Sequence, residues 1–375
     1  MEVLVAGLEQ ALRVDTFVWI SGGLLLGMLM GSLPGFTTTM GMSVLVPISF
    51  LVGDPLIGIP FLIGVYKGGI YGGSVPAILI SMPGTGASIA TVFDGHELTK
   101  KGKARKALEM GLYASAISDF FSDIFTLVMI VPVAALVLGF GPPEIASIMF
   151  LSLVIIAVTA TGPVIKGLLM LCLGVWFGLI GADPFSGAAR YTFGTNQLYD
   201  GFHLIPMLIG LFALPEIFNA VKEGEQANSR IAKFVGEHLQ FNEFKKSLRT
   251  IFRSTAIGTF IGLVPGLGQP IAAMMGYIAA KNSSKTPEKY GKGELDGVAA
   301  AEAANNAVNG PTMVPLLTLG IPGDAVTALL LGAFMMQGLR PGPTLLETNG
   351  EVVFAILIAM VFANILFLII GYLTI

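Results

Sequence analysis

The chain has 375 residues, 54% of them hydrophobic and only 12% charged, with a mean hydropathy of +0.80. That charged share is about half the ordinary one, which excludes a soluble enzyme, while roughly 200 apolar residues at ~20 per crossing of a ~30 Å hydrocarbon layer allow about ten membrane segments. The net charge of −3 and the lack of a basic face interleaved with aromatics argue against a nucleic-acid partner, and the lone Cys172 has no second cysteine to pair with.

Residues 1–15 carry Glu2, Glu9 and Arg13 and lack both a basic n-region and a small-residue cleavage site, so they read as an N-terminal segment and not as a cleaved signal. Apolar runs follow at about 16–33, 36–53, 55–72 and 74–92, then 107–140, 144–161, 163–181 and 203–221, then 254–280, 297–309, 311–338 and 351–374. Many are cut by Gly and Pro, of which the chain has 48 and 21, so the helices must be interrupted. Lipid tolerates a broken helix only where protein or a wet cavity satisfies the freed backbone groups. The run at 107–140 exceeds one crossing, so its first turns lie outside the hydrocarbon or the helix tilts. Positive charge gathers in three connections: Lys100 to Lys106, Lys222 to Arg253, and Lys281 to Lys292. By the positive-inside rule these face the cytoplasm, and the basic-poor connections near Asp54 and at 141–143, 182–202 and 340–350 face outward.

An internal duplication organises the chain. GMLMGSLPG at 27–35 recurs as GTFIGLVPG at 258–266, aligning Gly27, Gly31, Pro34 and Gly35 with Gly258, Gly262, Pro265 and Gly266 at an offset of 231. PAILISMPG at 76–84 recurs as PLLTLGIPG at 315–323 at an offset of 239. Two motifs in one order at nearly one offset mark a repeated unit. The first begins after an outward N-terminus and the second after a basic connection, so the repeats are inverted, an architecture in which substrate sits between half-helix ends near the midplane. The sequence therefore predicts an all-α polytopic membrane protein, with a first inverted repeat over 16–106, central spans over 107–221, a basic cytoplasmic connection over 222–253, a second repeat over 254–350 and a C-terminal span over 351–375.

The Pro-Gly breaks, Pro34-Gly35, Pro83-Gly84, Pro265-Gly266 and Pro322-Gly323, put helix ends at membrane depth. Helix N-termini there suit an anion, and unwound carbonyls suit a cation. Thr37, Thr38, Thr39, Thr85 and Ser88 crowd the first pair of breaks, and Gly268 and Gln269 the second, so these form the candidate substrate site. Gly27-xxx-Gly31 and Gly258-xxx-Gly262 read as close-packing faces. Intramembrane polar residues are costly unless satisfied. Lys67 either pairs with a substrate carboxylate or snorkels to an interface. Asn305 and Asn306 either offer amide oxygens to a hard cation such as Na+ or hydrogen-bond between helices. Glu302 and Asp324 are each a coupling carboxylate or a wet-loop residue. Asp119 and Asp123, at i and i+4, share one helix face, which holds a cation, relays protons, or, favoured here, faces solvent near the cytoplasm. His96, His203 and His238 lack metal-ligand spacing, and no resident metal is expected. No phosphate-binding GxxxxGK[ST], HExxH or assembled nucleophile and base is present, and GTGASIA at 84–90 lacks the βαβ frame of a dinucleotide loop, so no enzyme is expected.

Several separated strings, in order, resemble one family: GLLLGMLMGSLPGFTTTMG, YGGSVPAILISMPGTGASIATVFDG with KKGKARKAL, GFGPPE, DGFHLIPMLIGLFALPEIF, GTFIGLVPGLG, and GKGELDGVAAAEAANNAVNGPTMVPLLTLGIPGDAVTALLLGAF with GLRPGP. Together, over about 16–350, they resemble the large membrane subunit of tripartite tricarboxylate transporters. The resemblance implies ion-gradient-driven uptake of citrate and other di- and tricarboxylates across the cytoplasmic membrane, without ATP or a cofactor and with Na+ or H+ as the coupling ion. It also implies a small four-span membrane subunit and an extracytoplasmic solute-binding protein as partners, with the Pro-Gly loops as the substrate region; the residue chemistry above puts Asn305, Asn306 and Asp324 near the ion. The chain departs from the family pattern at Lys67, where a neutral, often aromatic residue is expected, at Thr37, where Gly is expected, and at Gln269-Pro270. Family members continue with further spans, so a chain ending at Ile375 is expected to be a shortened or reduced form. A channel or passive exporter, and a carboxylate-binding assembly subunit that moves nothing, are the rival readings.

Overall fold

The computed structural model describes residues 2–159, 162–183, 186–215, 218 and 236–375, so the expected connection at 222–253 lies outside the described residues up to 235. Among the described residues the regular structure is helical apart from a two-stranded hairpin, β1 (Gly181–Ala182) and β2 (Ala189–Arg190). Five helices are long and apolar enough to cross a membrane, among the described residues: α2 (Val14–Ser32), α4 with α5 (Pro55–Gly72 and Ser74–Ile80), α7 (Ala104–Leu138), α8 (Pro142–Thr159) and α16 (Leu345–Thr374). Shorter apolar helices join them: α3 (Thr38–Leu51), α9 (Val164–Gly178) and α15 (Ala325–Met336). The chain is a multi-pass membrane protein. α1 (Glu2–Ala11) packs on α16, and α10 (Leu204–Leu208) runs on into a π-helical turn over Ile209–Ala213. The 107–140 run forms a single 35-residue helix, as its length implied.

Glycine spacing builds the first half. Gly23, Gly27 and Gly31 of α2 face Gly64, Gly68 and Gly72 of α4 at four-residue intervals, so the two backbones touch. A Cβ at Gly27 would stand 2.3 Å from the Val65 carbonyl oxygen, and one at Gly68 2.3 Å from that of Leu24. No side chain fits between them. Asp54 fixes the start of α4 by accepting the Leu56 N–H at 2.9 Å, with Pro55 at the first helical position where its missing donor costs nothing.

Proline and left-handed residues divide the other apolar runs. The run at 74–92 becomes α5, a loop and α6 (Ile89–Lys100); that at 254–280 becomes α11 (Phe241–Gly262) and α12 (Gly268–Ser283); that at 311–338 becomes α14 (Met313–Leu319) and α15. α11 starts before its apolar run, taking Lys245, Lys246, Arg249 and Arg253 into its first turns, so the boundary expected at 253 falls inside a helix. Ahead of it, Lys106 of α7 pairs with Glu237 and Glu243 at 3.0 Å each, which docks the described end of the basic connection on α7.

α13 (Leu295–Asn306) is buried throughout from Gly297 to Asn306. Its alanines leave room for α6, α7, α11 and α12 to close around it, and Gly258 of α11 would place a Cβ 2.2 Å from the Ala304 carbonyl oxygen. The centre of the second half is therefore as tightly packed as the α2–α4 pair.

Candidate functional site

Helix starts from both halves of the chain meet at one cavity of about 300 Å³. Its walls are Thr37 to Thr39 at the start of α3, Thr85 to Ala87 before α6, Gln269 and Pro270 in the first turn of α12, and Asp324 to Val326 at the start of α15, with Ile70 from α4. At the repeat offsets, Thr38 and Thr39 align with Gln269 and Pro270, and Thr85 to Ala87 with Asp324 to Val326. Thr37 caps α3, accepting the Met40 N–H at 3.2 Å, and Asp324 caps α15, accepting the Thr327 N–H at 2.7 Å. The unpaired N–H groups of a helix's first turn carry partial positive charge. This cavity collects four such starts.

The breaks themselves shape the backbone around these walls. Gly35 and Gly266 both adopt φ near +80°, at +79° and +86°, which a branched side chain resists. Gly84 packs against the Gly31 carbonyl, and Gly266 donates its N–H to the Gly323 carbonyl at 2.9 Å. Pro34, Pro83 and Pro265 line neither this cavity nor its neighbour. Gly266, Gly268, Pro322 and Gly323 line that neighbour, a cavity of about 400 Å³ shared with Ile156 and Thr159 of α8, and Thr159 donates to the Gly266 carbonyl at 3.1 Å.

Tyr66 ties the halves together. Fully buried on α4, it donates its hydroxyl to Asp324 Oδ2 at 2.9 Å and accepts from the Gln269 amide. Asp324 Oδ1 is already taken by Thr327, so both carboxylate oxygens are engaged at the cavity wall. Nothing in the sequence pattern singled out Tyr66; its only signal is a phenol beside a lysine in an otherwise apolar helix.

Lys67 reaches neither cavity nor interface. It is completely buried, and its ammonium meets Asp119 Oδ2 at 2.8 Å, Asp123 Oδ2 at 2.7 Å and Asn364 Oδ1 at 3.1 Å. Asn364 returns a hydrogen bond to Asp123 Oδ2 at 2.7 Å. The solvated face expected for Asp119 and Asp123 is thus corrected: α4, α13 and α16 enclose that part of α7, and the two acids are 0% and 3% exposed. The i,i+4 spacing put both carboxylates on one face, where a lysine 52 or more residues away in sequence meets them.

Glu302, equally buried, lies between α5, α6 and α7. Its Oε1 accepts from Ser74 at 2.6 Å and from Thr91, and its Oε2 from Ser115 at 3.3 Å. Asn306 donates to Ser115 at 2.7 Å and to the Glu302 carbonyl at 3.0 Å, whereas both amide atoms of Asn305 have no hydrogen-bond partner among the described residues. Ser88 is buried off the cavity and bonds Thr85 at 2.9 Å.

Comparison with known proteins gives this geometry a family. A protein of Agrobacterium vitis described as an uncharacterized 52.8 kDa protein in the TAR-I ttuC' 3'region is 35% identical over 365 residues, covering 97% of this chain and 72% of that protein. A second from the same organism, an uncharacterized protein in the TAR-II ttuC' 3'region, is 41% identical over 114 residues, 30% of this chain and 47% of its own. No solved structure matches. The family model described as the tripartite tricarboxylate transporter TctA family matches residues 17–375, and the chain belongs to that family of transporter membrane subunits.

Proposed function

We propose that the chain forms the translocation path of an ion-gradient-driven importer for di- and tricarboxylates of the citrate type, with substrate held in the cavity between the four helix starts. The observation that carries this reading is the convergence of four helix starts, two from each half, on one cavity whose walls include the hydroxyls of Thr37, Thr38, Thr39 and Thr85. Aligned N–H groups and hydroxyls there offer a multivalent anion hydrogen-bond donors without the cost of burying a free cation. In this reading Thr37, Thr38, Thr39, Thr85 and Gln269 contact the carboxylates, and the four Pro-Gly breaks hold the loops in place. A small four-span subunit and an extracytoplasmic binding protein complete the system in the cytoplasmic membrane.

The two halves act as inverted repeats in this proposal, within about ten membrane segments. Matched contacts at the two offsets support the duplication. Gly27 and Gly31 press on the carbonyls of Val65 and Gly69, as Gly258 and Gly262 do on those of Ala304 and Val308. Ser81 and Gly320 both end their helices in the left-handed region, and the following N–H groups, of Met82 and Ile321, reach back to the Pro76 and Pro315 carbonyls at 3.3 and 3.2 Å.

The test is citrate uptake by proteoliposomes holding this chain with its small subunit and binding protein. Accumulation against a concentration gradient, lost when ion gradients are collapsed, is expected. Gly35→Leu and Gly266→Leu, if they fold, should lower uptake at least tenfold. Uptake only down a gradient would make the chain a channel or passive exporter, and binding without movement an assembly subunit. Parental rates in both variants would remove the site.

A further inference from the structure

We propose that Glu302 is a proton-binding site, connected to the substrate cavity by the hydroxyls of Ser74, Ser88 and Thr85. The assignment of a coupling role to that proton rests on the transport reading above.

Four buried acids lie on α7 and α13 among the described residues, and they are not alike: Glu109 pairs with Arg105 at 3.0 Å. Asp119 and Asp123 have a resident cation in Lys67. Glu302 has none: its carboxylate is surrounded by hydroxyls, and no Lys or Arg pairs with it among the described residues. An anion enclosed in this way is neutralised by a bound cation or by a proton. The hydroxyls of Ser74 and Thr91 hydrogen-bond directly to Oε1 and that of Ser115 to Oε2, so hydroxyl protons already stand against both carboxylate oxygens. That arrangement fits a proton.

The surroundings contribute no competing charge among the described residues. α4 presents Tyr71, whose ring lies with Glu302 Cγ against Gly111, and whose hydroxyl is engaged with the Leu108 carbonyl. α6 presents Thr91, with Asp94 one turn further on, tied to Tyr277 and to the N–H groups of Gly291, Gly293 and Glu294. α7 presents Ser115, with Asp119 one turn beyond it committed to Lys67. α5 and the turn before α6 present only Ser74 and Ser88. α11 and α12 pack near Ala300 and Ala304, each two residues from Glu302 and so on another face of the helix.

A continuous path leads out. Ser74 Oγ lies 3.3 Å from Ser88 Oγ, which lies 2.9 Å from Thr85 Oγ1. Ser74, Ser88 and Glu302 are buried, and Thr85 alone opens on the cavity. A proton arriving at Thr85 bonds there as the hydroxyl's own proton passes to Ser88. Ser88 hands its proton to Ser74, and Ser74 hands its own to Glu302 Oε1, giving a neutral carboxylic acid. Each hydroxyl gains one proton and loses one, so a single proton has moved.

The experiment has two arms. Infrared difference spectra of the chain in lipid nanodiscs should show a carboxylic-acid C=O band that grows as pH is lowered, is absent in Glu302→Gln and is shifted in Glu302→Asp. In citrate uptake by the assembled system, the ratio of rates with and without an inward proton gradient should be at least tenfold in the parent and fall to about one in Glu302→Gln. Ser74→Ala keeps the carboxyl and should retain the band while reducing that ratio severalfold, a result that does not depend on Glu302→Gln folding. A band unchanged by Glu302→Gln, or uptake driven by a sodium gradient and indifferent to a proton gradient, overturns the proposal. A parent that moves no citrate under either gradient overturns the transport reading, and the band then decides by itself whether Glu302 binds a proton.

Discussion

Lys67 and Asp324 carry charge into the interior with opposite consequences. Removing the ammonium leaves Asp119 and Asp123 buried together without a cation, which costs about 3–5 kcal/mol for a broken buried pair. Lys67→Met should therefore unfold well below the parent in a thermal melt in detergent, and the triple variant with Asp119→Asn and Asp123→Asn should recover most of the loss. Recovery absent in the triple variant would mean that Lys67 stabilises by packing alone. Asp324 puts a negative charge on the wall of a cavity proposed to hold an anion. Asn caps a helix about as well as Asp, so Asp324→Asn should keep α15 in place and tighten citrate binding about threefold to tenfold, measured by calorimetry. Weaker binding would show that the carboxylate helps to hold substrate through Tyr66. Lys67 and Asp324 were visible in the sequence as polar residues in apolar runs, but their partners were not. Tyr66 meets Asp324 across 258 positions and Asn364 meets Asp123 across 241, and no local pattern relates residues at such separations.

At the scale of elements, the α2–α4 pair shows what spacing can and cannot say. Four-residue intervals of glycine mark both helices as close-packing, and Gly27 and Gly31 were read that way directly. Which helix they meet is decided only when α4 lies against them. Gly27→Ala forces a methyl to within 2.3 Å of a backbone oxygen and should destabilise by at least the 1–3 kcal/mol typical of overpacking. Gly22→Ala on the same helix has nothing within 4 Å among the described residues and should leave the melting temperature unchanged or slightly raised. Equal melting temperatures for the two variants would mean that the helices separate at little cost. The Pro-Gly breaks were legible because proline lacks a donor and Gly35 and Gly266 need left-handed backbone. Hydropathy alone misplaced α11, because its amphipathic first turns are too polar to register as part of an apolar run.

For the whole molecule, the decisive relation is between halves. Thr85 lies in the first half and Asp324 in the second, yet both line one cavity. Thr85→Cys should react with a water-soluble maleimide and be protected at least threefold by saturating citrate. Labelling at one rate with and without citrate would place substrate elsewhere.

Composition, hydropathy and the placement of proline and glycine sufficed for the membrane class and the positions of the breaks, because each of these is written in local spacing: the length of a crossing, a proline without a donor, glycines one turn apart. Tertiary structure alone decided that Lys67 neutralises Asp119 and Asp123, that Glu302 is left with hydroxyls, and that four helix starts share a cavity. The physical reason is the same in each case. Burying a charge or exposing a helix end at membrane depth is costly, and the chain meets that cost with partners brought together from opposite ends of the sequence.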